Sequence, residues 1–98
     1  MNNVQRTDVV NFIIKDLLFG QLDLGESGFK MDELDETTLL TEPPLSLDSV
    51  DTLELVVGVE RQFVLPSQEL APEALRETCT SIGTLADFVE RQASRKAS

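Results

Sequence analysis

Val9, Val10, Ile13, Ile14, Leu17 and Leu18 recur along the start of the chain at the spacing of one helix face. Arg6, Asn11, Lys15 and Asp16 fall on the other faces, so the stretch predicts an amphipathic helix. Asn3 or Thr7 is placed to cap its start, and Gly20 suits its end. A second helical pattern runs from about Ser49 to Phe63, with Pro66 as a stop. Pro72-Glu73 reads as a helix start with proline at the first position, giving a short helix to about Cys79. Ser81 then caps a last helix with Ile82, Leu85, Phe88 and Val89 on one face, and the polar tail from Ser94 to Ser98 is expected to fray. No strand pattern competes and no internal repeat is visible. The expectation is one all-α domain over residues 1–98, with three main helices and one short one.

Between the first two helices lies a long connection, Gln21 to Leu47. Pro43-Pro44 forbids a helix there, and six acids lie from Asp23 to Glu36. A structureless loop of this length is uncommon in a small domain. The segment is therefore expected to pack back through Leu34, Leu39 and Leu40, with a short helical turn near Met31 to Leu34. From Asp23 it imitates a calcium loop with Gly28 at the sixth position. Gly25 fills a ligand position, however, and Leu34 stands where the closing glutamate belongs. A solvated acidic loop is the better reading, and no metal is expected.

The second helix carries more apolar surface than one stripe. Taking about 100° per residue from Val50, one group holds Leu55, Val56, Val59 and Phe63. Val50, Leu53, Val57 and Val64 form a second group on a neighbouring arc, with Glu60 close by. Asp51, Glu54, Gly58, Arg61 and Gln62 take the polar remainder. A helix in a small domain usually buries one stripe, so the second group either stays exposed as a docking surface or is covered by the long loop.

Composition narrows the chemistry. Among the 98 residues there is no histidine, tryptophan or tyrosine. This removes Ser-His-Asp and Cys-His catalysis and nearly all stacking platforms for bases. A net charge of -10 makes nucleic acid and anionic membranes poor partners and basic protein surfaces good ones. Cys79 is the single cysteine, so no internal disulfide forms. It reads as a small buried residue and not as a nucleophile, with only Arg76 as a nearby cation. The polar start and the lack of a membrane-length apolar run point to a cytoplasmic, soluble protein.

Ser49 has two readings. Serine before an amphipathic helix is an ordinary N-cap. Asp48 caps equally well, however, and its charge suits the helix dipole. If Asp48 caps, Ser49 becomes the first helical residue with a free, outward hydroxyl. A phosphate there would sit beside unpaired backbone N–H groups.

The run "LDSVDTLELVVGVERQF" resembles the Asp-Ser-Leu region of acyl carrier proteins. Asp48-Ser49 matches the family's Asp-Ser pair, Val50 stands for its usual leucine, and Asp51, Glu54, Leu55, Val56, Glu60 and Phe63 follow without gaps. "TSIGTLADFVERQ" is similar to the family's final helix. The resemblance implies a four-helix bundle and a carrier with no catalytic residues of its own. A phosphopantetheinyl transferase would place 4'-phosphopantetheine on Ser49, and the thiol of that arm would hold acyl groups as thioesters for fatty-acid or polyketide-like synthesis. Asp48, Asp51, Glu54 and Glu60 would meet basic patches on partner enzymes. Val50, Leu53 and Val57 would supply apolar contact, and Arg61, where acids are common, would bear on partner choice. The chain is expected to act as a monomer. An aminoacyl carrier (D-alanyl or peptidyl) and an unmodified helical adaptor are the alternatives. The sequence departs from the family pattern at Ser46, where glycine is common, and at Gly58, which costs about 1 kcal/mol against alanine inside a helix.

Overall fold

In the computed structural model the described residues are 5–66 and 70–97, with side chains described through residue 94. Helix α1 spans Arg6–Phe12 and continues without a break as a π-helical segment, Ile13–Gln21. Helices α2 (Ser49–Gln62), α3 (Pro72–Thr78) and α4 (Ile82–Ala97) follow. Among the described residues there is no strand, only one isolated antiparallel bridge, Leu39 to Ser81. The architecture is all-α.

Apolar spacing predicts a helix at the start of the chain but does not distinguish its hydrogen-bond register. The π segment ends with the Leu22 amide donating to the Leu17 carbonyl at 2.9 Å, a five-residue step. Gly20 lies inside this segment instead of ending it, and a Cβ there would stand 3.3 Å from the Lys15 carbonyl oxygen. Thr7 is not the cap either. It lies within α1, and the capping position is Gln5, with no side-chain bond. Asn3 lies outside the described residues. Val9, Ile13, Ile14, Leu17 and Leu18 are buried, as one apolar face requires.

The long connection is folded against the core. It forms 3₁₀ turns at Leu24–Ser27, which the sequence did not suggest, and at Met31–Glu33. Leu40 is fully buried and Leu34 packs partly against the core, but Leu39 is an exposed residue, contrary to expectation. Leu24 and Leu45 take up the burial instead. Backbone bonds explain the alternation. The Leu40 amide donates to Thr80 O at 2.9 Å, while Ile82 and Gly83 donate to Thr38 O and Glu36 O at 3.0 and 2.8 Å. The connection thus satisfies amides that α4 would otherwise leave open in its first turn. This short pairing turns Leu40 inward and its neighbour Leu39 outward.

Ser81 and Thr84 complete the start of α4. The Thr84 amide donates to Ser81 Oγ at 3.1 Å, and the Ser81 amide donates to Thr84 Oγ1 at 2.9 Å. Ile82, Leu85, Phe88 and Val89 are buried. Residues 94–97, expected to fray, continue the helix. Arg6 clasps three elements together: it donates to Glu36 of the connection at 3.0 Å and to Asp87 of α4 at 2.6 Å, and it also pairs with Glu90. No described helix is long and apolar enough to cross a membrane.

Candidate functional site

The site begins with the entry into α2. The Leu47 amide donates to the Leu40 carbonyl at 2.9 Å, closing residues 40–47 into a compact loop that the Leu40 amide anchors to Thr80, just before α4. This delivers Asp48 in extended conformation to the head of the helix. Asp48 Oδ1 then accepts the Asp51 amide at 2.9 Å, and Asp51 Oδ2 faces the Asp48 amide at 3.5 Å. Two acids form a reciprocal capping box, and their charges suit the positive end of the helix. Ser49 is the first helical residue and is exposed. Its carbonyl accepts Thr52 Oγ1 at 3.0 Å, and Thr52 is itself buried.

Ser49 opens onto a cleft of about 600 Å³. Asp48, Val50, Thr52 and Leu53 line its α2 side. Thr41, Glu42 and Leu47 come from the closed loop, and Leu70, Pro72, Leu75 and Arg76 from α3 and its approach. That volume lies in the range of small-molecule sites. The α3 residues and the loop residues carried no signal as site residues. They come from separate segments, and only tertiary packing sets them beside Ser49.

The two apolar groups of α2 separate cleanly. Leu55, Val56 and Val59 are buried, and Phe63 is half-buried with its ring edge-on to Phe12 at 5.6 Å between centroids. Val50, Leu53, Val57 and Val64 remain 62, 53, 37 and 66% exposed, so the long connection does not cover them. Leu53 is a shared ridge. On one side lies the Ser49 cleft. On the other is a groove of about 520 Å³ against the π segment, with Leu17, Val57 and Gly58 in its walls and Glu54 and Arg61 at its edge. A Cβ on Gly58 would stand 2.6 Å from Leu17 Cδ2, so glycine lets the Leu17 side chain pack directly against α2. Gln21 Nε2 donates to Glu54 at 3.3 Å across this groove.

Of the acids expected to face partners, Asp48, Asp51 and Glu54 lie at or near the surface, but Glu60 is 8% exposed. This corrects the expectation for Glu60. At about 100° per residue it falls between buried Val56 and exposed Leu53, so its angle alone does not decide its burial. Arg61 is exposed. Cys79 is fully buried, its Sγ 3.7 Å from the Thr52 carbonyl, and burial pushes its thiol pKa up to about 12. That environment suits packing and not nucleophilic attack. Among the described residues, no three His, Cys, Asp or Glu side chains are grouped to hold a metal. No protein-family model, curated protein or solved structure matches this chain.

Proposed function

We propose that this chain is an acyl carrier protein with 4'-phosphopantetheine attached to Ser49. One observation carries the reading: Asp48 and Asp51 take the capping role, leaving an exposed Ser49 at the first turn of α2 and at the mouth of a cleft. A serine that served only as a cap would be occupied by that task. In the modification, Ser49 Oγ bonds to the phosphorus next to the pantetheine of coenzyme A. The phosphoanhydride bond breaks, adenosine 3',5'-bisphosphate leaves, and the hydroxyl proton passes to a base of the transferase. The arm's thiol supplies thioester chemistry, while partner enzymes supply the catalytic groups this histidine-free chain lacks.

The exposed Val50, Leu53 and Val57, beside Asp48, Asp51 and Glu54, suit partners with basic, partly apolar docking patches. The order of a long first helix, long connection, serine-bearing helix, short helix and last helix fits the carrier bundle. Intact mass after co-expression with a phosphopantetheinyl transferase tests the reading. The wild type should gain one phosphopantetheinyl group and Ser49→Ala none. A wild type that stays at its unmodified mass overturns the carrier reading and leaves the unmodified adaptor. A modified protein that accepts aminoacyl but not acyl groups points to the aminoacyl carrier.

A further inference from the structure

Arg76 is a basic residue set into the wall of the Ser49 cleft. Pro72, Leu75 and Arg76 stand at i, i+3 and i+4 of α3, the spacing of one helix face, and all three line the cleft. The other charged lining residues are Glu42 and Asp48, so no other cation lines the cleft among the described residues. Although the chain holds 18 acids, Arg76 makes no ion pair among the described residues. Apart from the backbone bonds of α3 itself, its hydrogen bonding there is through its carbonyl, which accepts Thr80 Oγ1 at 3.2 Å.

Adding an anion to Ser49 sets it beside Asp48 and Glu42 in a chain of net charge -10. Such crowding is unfavourable unless a cation answers it. A guanidinium presents a planar fork of donors matched to phosphate oxygens, which a neutral side chain cannot supply. We propose that Arg76 is a positioning residue that binds the phosphodiester linking Ser49 to its arm, and so lays the arm along the cleft. This rests on the carrier reading. It assigns Arg76 a contact with the one part of the arm whose charge is the same for every cargo.

Phosphorus NMR on the modified protein tests it. Intact mass first establishes that wild type, Arg76→Gln and Arg76→Lys each carry the group. In the wild type the phosphodiester resonance should be displaced and broadened relative to Arg76→Gln. Arg76→Lys should fall between them, because it keeps the charge without the fork. In the wild type alone, added salt should move the resonance toward the Arg76→Gln position. Equal melting temperatures would exclude an indirect effect of misfolding. Coincident, salt-insensitive resonances in wild type and Arg76→Gln overturn the role of Arg76 and leave the carrier reading standing. A wild type that never gains the group overturns both.

Discussion

Asp48 Oδ1 accepts the Asp51 amide at 2.9 Å, and this bond separates the capping of α2 from the chemistry of Ser49. Asp48→Ala should cost about 1 kcal/mol, the usual worth of an N-cap. Asp48→Asn should keep most of that stability, because its amide oxygen still accepts the bond. Thermal unfolding of the two variants checks this, with alanine melting clearly below asparagine. Ser49→Ala should melt near the wild type, since it holds no cap.

The two faces of α2 should respond oppositely to truncation. Leu55→Ala removes a buried side chain and should cost about 2–5 kcal/mol. Leu53→Ser, at an exposed ridge, should change stability by no more than about 0.5 kcal/mol. The same Leu53→Ser protein should be modified or acylated more slowly. Denaturant titration and transfer rates together read both effects; unaltered rates would mean that partners do not use this ridge.

Glu54 lies at the surface beside that ridge. Glu54→Lys should slow modification while leaving helicity intact. Wild-type rates should fall as salt rises, since the encounter is steered by charge. Circular dichroism and rates at low and moderate ionic strength decide the matter.

Gly83 sits where α4 meets the long connection. A Cβ there would stand 2.9 Å from the Glu36 carbonyl oxygen, which is backbone and already accepts the Gly83 amide. Gly83→Ala should therefore destabilise by about 1–3 kcal/mol, overriding the gain in helix propensity. Gly58→Ala should cost less. Its clash is with the tip of Leu17, which borders an open groove and can turn into it. Chemical denaturation ranks the two.

The Cys79 thiol is raised by burial from the ordinary value of 9.0 to about 12. The fold favours the protonated thiol, so its contribution is fully present below about pH 9, where the unfolded thiol is also protonated. As pH rises from about 9 to about 12, the unfolded chain loses this proton first and stability falls. Cys79→Ala should flatten that part of the stability profile. At neutral pH, alkylation of the folded protein should be slow and should accelerate on unfolding.

Much of this was legible in the chain. The split of α2 into Leu55, Val56 and Val59 against Val50, Leu53, Val57 and Val64 follows from angular position alone. The structure buries the first set and exposes the second. Asp48 beside Ser49, with Asp51 three positions on, is local chemistry, and local chemistry is written in adjacent residues. Glu60 shows the limit. Its charge suggested surface and its angle placed it beside the exposed Leu53, yet tertiary packing leaves it only 8% exposed. Leu39 shows another. Hydrophobicity suggested burial, while pairing of the connection with the start of α4 turned Leu40 inward in its place.

By itself the sequence determined the main helices, the cap at Ser81, Asp48 and Ser49 as the two candidate caps of α2, and how the apolar residues of α2 divide into two groups. Each depends on residues within a turn or two of one another. Tertiary structure decided the cleft beside Ser49, the close approach of Gly58 to Leu17, and the presence of Arg76 in the lining of that same cleft. These join segments far apart in the chain, and no local spacing encodes where a loop and two helices meet once their apolar faces pack.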